Sequence, residues 1–172
     1  MKKAYALTLL AIAACSSTPT TQYSFALDQR VSARLPFKPY LVEARDLPQV
    51  AHAGRVQVWR LFTNGGDYEL TRTVHPAGSF SARDTAFYAK LIPLLKRAGA
   101  HDITSRPFAV NGIAGREFTY YTVHSTPTYI RCFALDSVSY GAAFFPARQL
   151  GLLSLSNNKR RDDFFNSITV KP

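Results

Sequence analysis

The chain has 172 residues, 47% of them hydrophobic, with 12 Phe, 9 Tyr and 1 Trp. That apolar and aromatic content excludes an intrinsically disordered chain. The 21 Lys and Arg residues outnumber 11 Asp and Glu for a formal charge of +10, an excess that asks for an acidic partner or surface.

The first element in chain order is a leader. Residues 1–14 read MKKAYALTLLAIAA, a basic pair followed by an apolar run that ends in small residues, as in a secretory signal. The run is too short for a hydrocarbon core, which takes about 20 apolar residues to cross. Ile12-Ala13-Ala14-Cys15 resembles the lipobox of bacterial lipoproteins. The resemblance implies cleavage between Ala14 and Cys15, lipid attachment at Cys15, and a partner in the membrane that receives the lipid. A buried N-terminal helix fits poorly with the polar, turn-forming residues Ser16 to Thr21 that follow. An ordinary secretory signal cut elsewhere remains the alternative. Residue 16 is Ser rather than Asp, which by the same resemblance favours the outer membrane, facing the periplasm, if the source is Gram-negative.

Three segments are therefore expected: a signal peptide over 1–14, the lipidated Cys and a polar tether over 15–22, and one domain over 23–172. The domain, about 150 residues, has the usual size of a unit with its own core. The tether, extended at about 3.3–3.6 Å per residue, reaches roughly 20–25 Å. Loss of Lys2 and Lys3 with the leader leaves 19 basic residues and a formal charge of +8. Outside the cytoplasm nucleic acid is not an expected partner, whereas anionic lipid headgroups or another acidic envelope surface are. The basic residues are spread out, and only Lys159-Arg160-Arg161 form a run. That run is the candidate anionic-surface contact, with ordinary solvation as its simpler reading. With Cys15 acylated, Cys132 is left without an intramolecular partner and reads as a buried core thiol.

Within the domain, Val31, Ala33 and Leu35 alternate with polar residues, the period of a half-buried strand ended by Pro36 and Pro39. Residues 55–62 (RVQVWRLF) repeat the alternation, and Asn64-Gly65-Gly66 predicts a hairpin into Tyr68–His75. Between Ser81 and Ala98 the period becomes helical: Phe87, Leu91, Leu94, Leu95 and Ala98 form one stripe. Ser81 and Asp84 resemble a capping box, Gly99 is the expected stop, and Pro93 predicts a kink. Asn111-Gly112 predicts a hairpin joining Ile103–Val110 to Ile113–His124. Turns at Ser125-Thr126-Pro127 and Asp136-Ser137 then extend an antiparallel meander through Tyr129–Leu135 and Val138–Phe145. Residues 146–156 fit either period. Asn157–Ser167 reads as an Asn-capped helix anchored by Phe164, Phe165 and Ile168, and Ile168–Lys171 as a closing strand. The fold class expected is α+β, a single antiparallel β-sheet flanked by helices.

Three stretches in this order resemble the PsbP/Mog1-like fold, an α-β-α sandwich. They are VSARLPFKP (31–39), NGIAGREF (111–118) and FFNSI (164–168), with Arg131 and Tyr140 in the intervening hairpin. That family includes photosystem II extrinsic PsbP proteins, Ran-binding Mog1 proteins and DcrB/LpqN-type bacterial lipoproteins. The resemblance implies a binding or assembly factor and carries over no catalytic residues. Physically, Gly115 reads as a point of close backbone approach, while Arg116 and Glu117 face opposite sides of a strand.

Reactive chemistry has few footholds. His52, His75, His101 and His124 lack metal-ligand spacing, and no nucleophile elbow or phosphate loop is present. Asp162-Asp163, adjacent on a helix, suit a surface near a helix N-terminus better than a shared acid/base site. No cofactor, metal or catalysis is expected. The function expected is a non-enzymatic binding or assembly module on the membrane, serving an unidentified envelope protein. A small-ligand or lipid-binding lipoprotein is the alternative.

Overall fold

The computed structural model describes residues 22–43, 55–76, 85–147 and 153–171. Ala14, Cys15, the tether up to residue 21, His52, Ser81 and Asp84 lie outside them, so the leader and the capping box stay sequence expectations.

The strands are antiparallel throughout, as the α+β reading requires, but they form two sheets rather than one. β1 (Tyr23–Ala26), β2 (Val31–Leu35) and β10 (Thr169–Val170) make a small sheet with β2 in the middle. The large sheet has seven strands in the order β3-β4-β5-β9-β8-β7-β6. These are β3 (Tyr40–Leu41), β4 (Arg55–Leu61), β5 (Gly66–Val74), β6 (His101–Val110), β7 (Ile113–Tyr121), β8 (Pro127–Leu135) and β9 (Val138–Pro146). The division follows from β2: β1 and β10 occupy both of its edges, and Pro36 and Pro39 separate it from β3.

Register explains which residues meet. The Asn111-Gly112 turn has both residues at positive φ (47° and 80°), the geometry of a type I′ hairpin. It pairs Arg106 with Glu117 and Phe108 with Gly115. β8 continues the rows, placing Arg131 beside Glu117 and Phe133 beside Gly115. On this face Leu61, Tyr68, Leu70, Phe133, Leu135, Ala142 and Phe144 pack with Val31, Ala33 and Leu35 of the small sheet. Helix α2 (Leu153–Asn166) adds Phe164 and Phe165 to that core. Tyr68 holds the junction, with its ring 5.2 Å from Phe144 and 5.1 Å from Phe164.

The opposite face carries Val58, Phe118, Tyr120, Ala134 and Ala143, all buried. Helix α1 (Thr85–Arg97) lies on this side, with buried Tyr88 in the electrostatic neighbourhood of Cys132 and Arg116. Its inward stripe differs from expectation. Tyr88, Leu91, Ile92 and Leu95 turn toward the sheet, whereas Leu94 and Ala98 are exposed. The spacing is still helical, with Tyr88 and Ile92 joining Leu91 and Leu95 in the stripe, and the Phe87 side chain lies outside the described ones. The helix continues through Pro93, which faces solvent. It ends in a Schellman motif at Gly99 (φ 84°): Gly99 N–H donates to the Lys96 carbonyl and Ala100 N–H to that of Leu95.

Two further expectations are corrected. α2 begins at Leu153, so Asn157 is inside the helix and buried rather than capping it. Its side-chain amide donates to the carbonyl of Ala147 at 3.3 Å. Asp162 and Asp163 consequently sit toward the C-terminal end of the helix, where the dipole disfavours them. Ion pairs to Arg161 (2.8 Å) and Lys159 (2.5 Å) offset this.

Candidate functional site

The chain enters the described domain at Gln22, beside an open cleft of about 360 Å³. The cleft is built where three pieces converge: the exit of β2, the β4–β5 turn and α2. They contribute Arg34 and Phe37, Thr63 to Gly65, and Arg160 with Asp163. The turn is tied by Thr63, whose hydroxyl donates to the Gly66 carbonyl (2.5 Å) and accepts from Gly65 N–H (3.2 Å). Gly65 leaves room for Arg160, and its own backbone has no need of glycine. A methyl group at Gly65 would sit 1.8 Å from Nη1 of Arg160, so the guanidinium lies directly against the turn.

Exposed apolar side chains border this end of the sheet, Phe37 in the cleft wall and Tyr40 with Phe62 beside Arg60 on the other face. Phe37 and Phe62 are 63% and 61% exposed, and Tyr23, Tyr40 and Leu41 are also exposed. The Tyr40 and Phe62 rings touch at 5.9 Å between centroids. These five are most of the large exposed hydrophobic residues in the described structure; of the others, Leu94 is on α1, while Tyr121 and Val123 lie at the same end of the large sheet, at the end of β7 and in the turn after it.

The basic run reads differently in three dimensions. Lys159 pairs with Asp163 along the helix. Arg160 points into the cleft beside Gln22. Arg161 turns to the other side, over the ring of Tyr129 at 4.5 Å and bonded to Asp162. The structure therefore brings only Arg160 to this face, where Arg34 joins it from β2. That partner lies far off in sequence and was not singled out by any local run.

A second cleft, about 440 Å³, opens between β6–β8 and α2 and is lined by Thr104, Arg106, Glu117, Tyr129 and Arg161. Its charges are internally satisfied. Glu117 accepts from Arg106 Nε at Oε1 and from Arg131 Nε at Oε2, both at 2.7 Å. The Arg131 guanidinium also lies over the rings of Phe108 (5.2 Å) and Phe165 (4.7 Å). This arrangement ties the meander to α2. Tyr140 does the same for the small sheet: its hydroxyl donates to Asp28 at 2.7 Å and its ring stacks on Phe133 at 5.2 Å. Asp28 also accepts from Arg72 Nε (2.9 Å) and from the N–H groups of Arg30 and Val31. Burial alone would raise the Asp28 carboxyl, but these hydrogen bonds hold it at about 2. Burial first, and donation to Asp28 second, push the Tyr140 phenol up to about 12.

The remaining chemical candidates are dispersed. Among the described residues no three His, Cys, Asp or Glu side chains gather to hold a metal ion. His75 bonds Ser139 at 2.8 Å, and His101 bonds Asp102 and the Thr122 carbonyl. Cys132 keeps a little residue exposure on β8, yet burial pushes its thiol up to about 12, the behaviour of a core cysteine. No helix among the described residues is long and apolar enough to cross a membrane.

Comparison with known proteins gives the fold. No family model matches the chain, and no curated protein matches it. The solution structure of cyanobacterial PsbP (CyanoP) from Synechocystis sp. PCC 6803 superposes with a TM-score of 0.59 at 11% identity. The match covers 93% of this chain and 99% of that one. A protein of unknown function from Pseudomonas aeruginosa matches with a TM-score of 0.43 at 6% identity, over 79% of this chain and 99% of its own. The chain thus has an antiparallel α+β fold like that of PsbP.

Proposed function

We propose that the chain is a membrane-anchored envelope lipoprotein whose single PsbP/Mog1-like domain is a non-enzymatic binding or assembly module. The observation that carries this reading is the lipobox Ile12-Ala13-Ala14-Cys15, separated from the domain only by a short polar tether. Several features support it. The tether leads to Gln22, at the rim of the aromatic and basic cleft. The internal aromatic side chains, Phe133, Phe144, Phe164 and Phe165 among them, are spent on the core. This favours a module that works through its surface over the alternative of an interior small-ligand or lipid carrier.

The test is fractionation and crosslinking in the native host. The parent protein partitions with membranes and yields a reproducible crosslink to a defined envelope protein. Cys15→Ala moves the protein off the membrane and blocks processing. Membrane association and processing unchanged in Cys15→Ala, or recovery of the monomer alone under conditions that capture known neighbours, contradicts the proposal.

A further inference from the structure

We propose that the tether end of the domain docks on the surface of an anionic bilayer, with Phe37, Tyr40, Leu41 and Phe62 in the interface and Arg34, Lys38 and Arg160 against headgroups. The inference rests on the anchored-lipoprotein reading and gives it an orientation. Three independent observations lead to it. The first is where the chain comes from: the segment joining Cys15 to the domain arrives at Gln22, on the rim of this cleft. That segment reaches no more than roughly 20–25 Å when fully extended. A lipid held at Cys15 therefore keeps this end within roughly 20–25 Å of the bilayer.

The second is composition. Phe37 and Phe62 are the most exposed aromatic side chains among the described residues, and the Tyr40 ring lies tilted against that of Phe62. Exposed aromatic clusters are costly in water and favoured at a membrane interface, where ring bodies lie among acyl chains and hydroxyls among headgroups. Tyr40 and Leu41 form β3, the edge strand of the large sheet, so the cluster projects from a rigid scaffold.

The third is charge. Among the described residues Arg34, Lys38 and Arg160 form no ion pair with a carboxylate; Lys90, Lys96, Arg97, Arg116 and Lys171 form none either, but only the first three lie by the point where the chain enters, with Asp163 the one carboxylate in that cleft wall. The cations left over at this end complement anionic headgroups. A diacylglyceryl group anchors on its own, and the basic patch sets the orientation of the domain on the bilayer rather than its attachment.

The experiment uses the acylated protein purified from membranes and reconstituted in vesicles. Phe62→Trp and Ala109→Trp are each made in a Trp59→Phe background; Ala109 is exposed beside the Asn111-Gly112 hairpin, at the opposite end of the large sheet. Vesicles contain phosphatidylethanolamine and phosphatidylglycerol, with or without brominated acyl chains. Burial some 5–10 Å into the headgroup boundary implies that bromination quenches the Phe62→Trp emission by about twofold, with a blue shift. Ala109→Trp is unchanged. Combining Arg34→Glu, Lys38→Glu and Arg160→Glu abolishes the quenching while acylation keeps the protein on the vesicles. Phe37→Trp serves as a second reporter should Phe62→Trp fail to fold.

Acylated protein whose Phe62→Trp and Phe37→Trp reporters stay in water overturns the docking face, leaving those residues to a protein partner. Equal quenching on pure phosphatidylcholine overturns the role of anionic lipid. Protein that lacks acyl modification at Cys15 and does not float with vesicles overturns the anchor itself, a failure separable from the other two by the mass of the N-terminal peptide.

Discussion

Replacing Glu117 by Gln removes a charge from the centre of the meander while keeping its shape. The Glu117 side chain is 7% exposed, and its two partners differ: Arg131 is 19% exposed and Arg106 is 72% exposed. Removing one member of a buried ion pair typically costs about 3–5 kcal/mol, because the other charge stays buried and uncompensated. The exposed Arg106 contact adds little, about 0–1 kcal/mol. Arg131 keeps some solvent and its two aromatic faces, so the low end applies, about 3 kcal/mol. For a domain of this size that is a fall in Tm of roughly 6–12 °C. Urea unfolding of Glu117→Gln, Arg106→Ala and the parent gives the comparison directly, with Arg106→Ala losing no more than about 1 kcal/mol. Equal and small losses for both variants would refute the assignment of the buried Arg131–Glu117 pair as the tie between β7, β8 and α2.

Other consequences follow from single contacts. Asp28 titrates at about 2 in the folded chain against an ordinary 3.8. Its contribution is therefore complete above pH 4 and disappears as pH falls through 2. With solvent screening allowed for, Asp28→Asn loses about 1–2 kcal/mol at pH 7; the gap from the parent closes toward pH 2 in thermal melts, and a gap independent of pH opposes the assignment. A methyl group at Gly115 meets the Cys132 carbonyl at 2.6 Å and the Phe108 ring at 2.5 Å. Because the backbone contact cannot yield, Gly115→Ala costs about 1–3 kcal/mol by chemical denaturation. At Gly65 the obstacle is only a flexible Arg160 side chain, so Gly65→Ala leaves stability within about 0.5 kcal/mol while displacing Arg160. Thiol titration of the mature protein at pH 8 finds no reactive group until denaturant exposes Cys132; a thiol that reacts in the folded protein contradicts either acylation of Cys15 or burial of Cys132.

Local chemistry carried much of the fold into view. Alternation marked β2, β4 and the meander, and Asn111-Gly112 fixed the β6–β7 register because few residues other than Asn and Gly accept positive φ in succession. The stretches that carried the family resemblance turn out to hold layers together. Ser167 accepts the Arg34 N–H at 2.9 Å and donates to the Phe164 carbonyl at 2.6 Å, joining α2 to the small sheet. Arg131 and Tyr140 reach across layers in the same way. What stayed hidden depended on partners distant along the chain. The small sheet exists because β2 meets β10 some 140 residues later. Asn157 looked like a cap because its preference for helix starts is local, whereas its hydrogen bond to Ala147 is set by packing. Lys159-Arg160-Arg161 looked like one patch, but consecutive helix positions point about 100° apart. Nothing local revealed that Arg160 would meet Arg34 and exposed Phe37.

The central claim is the lipid at Cys15, and the mass and N-terminal sequence of the mature protein test it most directly. The account predicts a chain that begins at Cys15 and carries a diacylglyceryl thioether on its sulfur. A chain that retains residues 1–14, or one cut at another position with Cys15 unmodified, would contradict it.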